Sequence, residues 1–329
     1  MTLLAAPLQR YFTDYAHAQR DLSPNTIASY RDTWRQLIKH TIRTRGIAAD
    51  RIDLAVIDTD LVTSFLDQLT TARHNSVATC NARLTAIRAV LAQALPDHPE
   101  HADTITRVLA IPSRRRPTPT VEFLNIGETE ALLAAPNTST WTGRRDQALL
   151  ALAVQTGLRI SELITLTRND IHTATGSHIT CLGKGRRHRA TPLTATTLTV
   201  MEPYLTERAT RPGDALFPGP DGAHLSRDAL EHRLAKHLDT AAATCPSLRG
   251  KHVTMHTLRH TAAMRLLQAG VDVSVIALWL GHQHTSSTDV YLHADMTIKQ
   301  AAIDRTRPPH IPAGTYTPPP DILTWLDSL

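Results

Sequence analysis

The stretch 254-TMHTLRHTAAMRLLQAG-270 has the apolar spacing of a helix and carries two histidines, His256 and His260, on one face. Two histidines four residues apart are also the skeleton of a zinc-protease site, in which a glutamate follows the first histidine. Here Thr257 occupies that position, and Arg259 would hold a permanent positive charge against the metal. We therefore expect no metal site. His256 and Arg259 instead direct hydrogen-bond donors at one spot, which suits a phosphate oxygen, whereas His260 braces the helix.

The segment 156-TGLRISELITLTRNDI-171 predicts a second cationic group. Gly157 ends a helix predicted over 142–156, and a new helix starts with Arg159 in its first turn. Exposed N–H groups and the positive end of a helix favour an anion there, and the guanidinium adds a fork of donors. Glu162, three residues on, is placed to orient Arg159. Taken alone, a surface Arg–Glu pair without function is the alternative.

The segment 183-GKGRRHR-189 forms the turn between two short strands predicted within 178–193, with Lys184 at its tip. A lysine can give up a proton when its surroundings lower its pKa, whereas an arginine in effect cannot. Only five of the 35 basic residues are lysines, so a lysine at this turn is informative. We expect Lys184 to be a general acid, and a solvated basic turn is the alternative.

The segment 278-LWLGHQHTSSTDVYLHADM-296 adds a histidine and a phenol. Gly281 ends a helix, His282 follows it, and a Thr-Ser-Ser cap begins the next predicted helix, which carries Tyr291. Two arginines, a lysine, two histidines and a phenol suit attack on a phosphodiester, because the arginines bind the oxygens' charge and the phenol forms a covalent intermediate. Side chains supply the cations, so no metal and no other cofactor is expected.

The order Arg, Lys, His-x-x-Arg, His, Tyr, in the blocks TGLRISEL, GKG, HTLRHTAA, LGH and the tyrosine nine residues after that histidine, resembles the tyrosine recombinase (phage integrase) family of the Xer-like or mobile-element type. The resemblance covers roughly residues 121–307, and the N-terminal part is more loosely similar to that family's core-binding domain. It implies site-specific DNA recombination without metal or ATP, through a 3′-phosphotyrosyl intermediate and a Holliday junction.

Roles for individual residues follow from the resemblance. Tyr291 is the nucleophile and releases a 5′-hydroxyl, which Lys184 protonates. Arg159 and Arg259 bind the scissile phosphate. His256 and His282 hydrogen-bond the phosphate or assist proton transfer. Glu162 and His260 support these residues from behind.

The patterning predicts a mainly α fold with a small β-hairpin or sheet in the catalytic domain, and the resemblance implies two domains that form a C-shaped DNA clamp. Residues 1–111 read as a helical, mildly basic DNA-binding domain and 112–120 (PSRRRPTPT) as a basic, proline-rich linker. Residues 121–307 form the catalytic domain, and 308–329 form a proline-rich tail with a C-terminal helix. The predicted DNA contacts are Arg83, Arg88, Arg114, Arg115, Arg116, Arg186 and Arg187.

The tail contains six prolines and ends in a helical stripe of Ile322, Trp325, Leu326 and Leu329. We expect this stripe to dock on a neighbouring protomer rather than to fold back. The resemblance implies a homotetramer on two double-stranded DNA recombination sites, with the tail exchanged between protomers.

Composition limits the cellular setting. The three cysteines form no CxxC pair, the pI is about 9.3, and no membrane-spanning or secretory segment is evident, so we expect a cytoplasmic, nucleoid-associated protein without membrane contact.

Two alternatives stay open at the level of sequence: a non-catalytic DNA-binding or architectural protein of the same fold, and a relaxing topoisomerase with the same chemistry. A lapsed enzyme would have lost one of Arg159, Lys184, Arg259 or Tyr291, and all four are present. The DNA target, any partner factor and the choice among integration, excision, resolution and transposition are not readable from the sequence.

Overall fold

The computed structural model describes residues 2–115, 121–183 and 188–281, and the chain divides into two compact units, residues 1–119 and 120–329. Each unit has its own hydrophobic core. The described residues are mainly helical with one small sheet, as predicted. None of the described helices is both long and apolar enough to cross a membrane.

The described residues of the first unit form helices joined by loops, with one isolated β-bridge between Leu3 and Asp53. Ser23 caps α2 by accepting the N–H of Thr26, and Pro24 is the first helical residue, as the sequence predicts. Asp58 and Ser76 cap the next two helices in the same way. The helices are α1 (Ala5–Arg10), a π-helical continuation (Tyr11–Gln19), α2 (Pro24–Arg45), α3 (Thr59–Thr71), α4 (Val77–Ala94) and α5 (Ala102–Leu109).

The π-helical continuation of α1 was not predicted. It places Tyr11 and Ala16, five residues apart, in the core of the first unit. A π-helix of this length is uncommon. Beside it, Trp34 is 2% exposed and its indole N–H donates to the carbonyl of Ala86 on α4, which fixes α2 against α4.

The second unit combines seven helices with a three-stranded antiparallel sheet among its described residues. The helices are α6 (Ile126–Ala134), α7 (Trp141–Thr156), α8 (Ile160–Ile164), α9 (Ala195–Ala209), α10 (Arg227–Thr244), α11 (Met255–Gln268) and α12 (Val273–Leu280). The strands are β1 (Ile171–His172), β2 (His178–Leu182) and β3 (His188–Pro192), paired in the order β1-β2-β3. The prediction of two strands was incomplete, because β1 pairs at two positions only.

Helix α7 lies at the centre of the second unit. Every residue from Ala148 to Val154 is buried, so the helix packs on all sides rather than along one stripe. It packs against α6, α9 and α11. Gly157, with φ of 62°, ends α7 in the left-handed conformation and turns the chain into α8, which brings Arg159 towards α11.

Candidate active site

Arg159 lies at the start of α8 and is held by Glu162. The Glu162 carboxylate accepts the backbone N–H of Arg159 at 2.8 Å and its Nη1 at 2.8 Å. Arg159 is therefore the N-cap and not a residue of the first turn, which corrects the predicted position by one residue. Because α8 is a single turn, the guanidinium rather than the helix end supplies most of the positive charge.

Arg259 is buried, at 2% exposure, and its guanidinium is held by backbone carbonyls. Nη1 donates to the carbonyl of Gly157 at 2.7 Å, and Nη2 donates to the carbonyl of Leu280 at 2.8 Å. Arg159 Nη2 donates to the next carbonyl, that of Gly281, at 3.0 Å. The end of α7 and the end of α12 thus position both arginines, which lowers the cost of ordering them when an anion binds.

His256 and His260 share a face of α11, with ring centroids 4.3 Å apart. Partial burial lowers the pKa of His256, and the positive charges of Arg259 and Arg159 lower it further. Burial, followed by the neighbouring His256 and Arg259, lowers the pKa of His260 to about 4. Both rings are therefore neutral near pH 7, and His256 can accept or donate a hydrogen bond.

Thr257, which stands where a zinc protease has its glutamate, forms a capping box with Thr254 at the start of α11. Its hydroxyl accepts the N–H of Thr254 at 3.0 Å, while the Thr254 hydroxyl accepts the N–H of Thr257. Over the described ranges, no group of three or more His, Cys, Asp or Glu residues is arranged to hold a metal ion.

Arg159, His256 and Arg259 meet at one cavity of about 410 Å³. The first turns of α10 and α11 also border it, so two helix N-termini face the same space. Backbone N–H groups and helix dipoles there add to the arginine charges and favour a bound anion. The cavity is lined by Leu158, Arg159, Ile160, Ser161, Arg227, Glu231, Thr254, Met255, His256 and Arg259.

Comparison with known proteins identifies the family to which this site belongs. Residues 122–297 match the phage integrase family. The chain belongs to that family. This recombinase is 45% identical over 326 residues to y4rC of Sinorhizobium fredii, which is provisionally named an integrase/recombinase. The alignment covers 99% of this chain and 98% of y4rC. It is 31% identical over 323 residues to the tyrosine recombinase XerD of Pseudomonas aeruginosa, covering 95% of the chain and 100% of XerD.

Solved structures share the recombinase's fold. The XerH site-specific recombinase bound to a palindromic difH substrate matches with a TM-score of 0.70 at 22% identity, over 87% of this chain and 81% of XerH. A lambda integrase tetramer bound to a Holliday junction matches with a TM-score of 0.61 at 19% identity, over 87% of this chain and 79% of that one. The chain is thus a site-specific DNA recombinase of the tyrosine type.

Half of the predicted catalytic set lies within the described parts of the recombinase. The structure brings Arg159, His256 and Arg259 together, with Glu162 behind them. His260 is not part of the cavity lining, and its bracing role stays a prediction. Lys184, His282 and Tyr291 lie outside the described residues, as do the predicted DNA contacts Arg116, Arg186 and Arg187.

Three of the predicted DNA contacts of the first unit make hydrogen bonds within that unit. Arg83 donates to Asp32 at 2.6 Å, Arg114 pairs with Asp67 and donates to Thr70, and Arg88 Nη1 is 3.5 Å from the hydroxyl of Ser113. Arg115 is exposed. The DNA-contact role of these arginines remains a prediction. Helix patterning in the sequence did not reveal their hydrogen bonds within the unit.

Three site residues were missed at the level of sequence. Arg227 and Glu231 line the cavity from α10, and they form an ion pair at 3.8 Å. Arg189 lies on β3 and contacts Glu162. Arg189 belongs to the same basic run as Arg186 and Arg187, but its contact with Glu162 has no signal in the sequence, because it depends on how the sheet packs against α8.

Proposed function

We propose that this recombinase breaks and rejoins duplex DNA through Tyr291, with the scissile phosphate bound in the cavity of Arg159, His256 and Arg259. The observation that carries the proposal is the convergence of the two guanidinium groups on that cavity, where two backbone carbonyls hold Arg259 and the Glu162 carboxylate and the Gly281 carbonyl hold Arg159. Fixed cations of this kind stabilise the charge that spreads over the non-bridging oxygens in the transition state.

The proposed reaction is a balanced exchange at phosphorus. The Tyr291 oxygen forms a bond to phosphorus as the bond to the 5′ oxygen breaks, and the Lys184 ammonium gives that oxygen a proton. The phenol loses its own proton as it attacks, and the neutral ring of His256, with His282, assists this transfer. The 3′-phosphotyrosyl ester keeps a phosphate ester bond, so a 5′-hydroxyl of a second strand can reverse the step without ATP.

The proposed partners are double-stranded recombination sites and further copies of the chain. Lambda integrase forms a tetramer on a Holliday junction, and XerH binds its difH site. By analogy, we infer a homotetramer of this recombinase in which each chain's two domains close around DNA and residues 308–329 pass to a neighbour. Because its proposed substrate is DNA, we infer that the recombinase acts in the cytoplasm at the nucleoid.

The test uses a nicked suicide substrate that carries the recombination site, whose position is found by mapping the cleaved phosphodiesters on element and host DNA. Wild-type protein should form a covalent protein–DNA adduct in the absence of magnesium. Tyr291→Phe should form none, because the attacking oxygen is missing. The matched control is Tyr316→Phe, which removes another C-terminal phenol and should keep the wild-type yield.

An adduct that persists in Tyr291→Phe, or that requires a metal ion, contradicts the proposal. Relaxation of a supercoiled plasmid that carries a single site, with no exchange between two sites, indicates a topoisomerase. DNA binding without any adduct in wild type indicates an architectural protein.

A further inference from the structure

Arg189 joins three elements of the second unit. It lies on β3 opposite Cys181 of β2, and its side chain is 13% exposed. Nη2 lies 2.9 Å from Oε2 of Glu162, and Nη1 donates to the carbonyl of Leu280 at 2.7 Å. One guanidinium therefore ties β3 to α8 and to the end of α12.

The two groups that Arg189 contacts are those that position the phosphate-binding arginines. Glu162 also holds Arg159, and the carbonyl of Leu280 also accepts from Arg259. A Cβ atom added at Gly281 would lie 2.0 Å from Nη1 of Arg189, so the chain just before His282 packs directly on this guanidinium. Movement of Arg189 would release both supports together.

Arg189 does not line the cavity, so it does not contact the phosphate that the cavity is proposed to bind. Its Nε is buried and has no hydrogen-bond partner among the described residues. A buried donor left unpaired costs about 1–3 kcal/mol, and a buried ion pair often adds little to stability. The unpaired Nε offsets part of what these contacts contribute to stability, so their geometric role is the one that the experiment must test.

We propose that Arg189 is a positioning residue for strand cleavage, which holds Glu162 and the Leu280 carbonyl where they orient Arg159 and Arg259. The proposal rests on the proposed function of this cavity. It adds a link along the chain from Lys184 to the phosphate-binding arginines, because Arg189 stands five residues after Lys184 in the sequence and lies on β3.

The test compares Arg189→Lys and Arg189→Met with wild type, as full-length chains, in single-turnover cleavage of the nicked substrate. Lysine keeps the charge but cannot replace the two-pronged contact to Glu162 and Leu280. Both variants should bind the DNA with a dissociation constant within about threefold of the wild-type value. The substitutions alter at most one of the many positive charges that contact DNA phosphates. Their cleavage should slow by about 10-fold to 100-fold, the effect of misplacing a binding group by about 1 Å.

The matched control is Arg144→Met. Arg144 Nε donates to a carboxylate oxygen of Glu207 at 3.0 Å in the same unit, and neither residue lines the cavity. This variant should cleave at the wild-type rate. Combining Arg189→Met with Glu162→Gln should slow cleavage little more than the slower single change, because both act through Arg159.

A second readout needs no DNA. Inorganic phosphate is titrated into each protein while the ring signals of His256 are followed by NMR, and Arg189→Met should bind phosphate about tenfold more weakly than wild type. If wild type forms no adduct on any substrate, the proposed function fails while this titration still tests Arg189. The inference is overturned if both variants keep wild-type cleavage and phosphate affinity, if the Glu162 and Arg189 losses multiply, or if slower cleavage only follows a lost folded fraction.

Discussion

Glu162 shows what a single buried carboxylate does at this site. It is 4% exposed and lies between the guanidinium groups of Arg159 and Arg189. With Arg259 nearby, three positive charges stand against one negative charge, so the cluster retains the net positive charge that an incoming phosphate needs. The Glu162–Arg159 contact was predictable from the three-residue spacing. The contact from Arg189 was not, because it depends on how the sheet packs against α8.

Because burial and the nearby His256 on α11 lower its pKa, His260 makes the folding stability depend on pH. The unfolded chain holds His260 at its ordinary pKa of 6.5, whereas the folded protein holds it at about 4. Between these values the unfolded state binds more protons, so stability is complete above about pH 6.5 and falls as the pH is lowered towards 4. The loss from His260 alone amounts to at most about 3 kcal/mol.

We therefore expect His260→Asn to reduce the loss of unfolding free energy between pH 7.5 and pH 4.5, measured by urea denaturation at both values. His232→Asn, at an exposed position on α10, is the control and should keep the wild-type pH dependence. If His260→Asn retains the full loss, the acid sensitivity resides in other groups.

At the scale of elements, capping residues made much of the fold predictable. Ser23 begins and Gly157 ends a helix where the sequence places it, and Gly281 ends α12 as predicted. Strand β1 escaped prediction because two residues give no alternation to detect. The carbonyls that hold the arginines escaped for another reason: every residue carries a carbonyl, so only the packing selects one.

Gly157 illustrates how an element end supports the site. Its φ of 62° requires the left-handed conformation, and an added Cβ would lie 2.6 Å from Cδ2 of Leu280 and 3.1 Å from Cβ of Ala262. Gly46 ends α2 with a similar φ of 66°, yet nothing lies within 4 Å of its added Cβ.

We expect Gly46→Ala to lower the free energy of unfolding by about 1 kcal/mol from backbone strain alone. Gly157→Ala should lower it by about 2–4 kcal/mol, because steric overlap adds to the strain. It should also slow cleavage, since Leu280 must shift and its carbonyl orients Arg259. Urea denaturation and adduct formation measure the two effects, and equal losses for both glycines would show that the contact with Leu280 relaxes freely.

At the scale of the whole molecule, we propose that a groove of about 470 Å³ on the second unit, lined by both apolar and polar side chains, is the docking place for the tail of another copy. It is lined by side chains of α6, α7, α9, α11 and α12, among them Leu133, Val154 and Leu266. The groove also contains two buried polar atoms, Nε1 of Trp279 and Oε1 of Gln155, that have no partner in the described chain.

The proposed occupant is the C-terminal stripe of a neighbouring copy, in which Trp325 is the largest apolar residue. Trp325→Ala should abolish the four-copy assembly on recombination-site DNA while single copies still bind, because one buried aromatic carries much of a small interface. Leu323→Ala, which lies off the stripe, is the control. Light scattering on purified protein–DNA complexes counts the copies, and an intact tetramer in Trp325→Ala would contradict tail exchange.

The carbonyls of Leu280 and Gly281 accept hydrogen bonds from Arg159, Arg189 and Arg259. Genetic substitution at these positions leaves the acceptors in place, so mutational scanning would register Leu280 as a packing residue and overlook its polar role. Semisynthesis can reach it: glycolic acid at position 281 converts the preceding amide into an ester, whose carbonyl is a weaker acceptor, and leaves every side chain unchanged. Part of the catalytic geometry of this recombinase is therefore carried by atoms that natural sequence variation cannot alter.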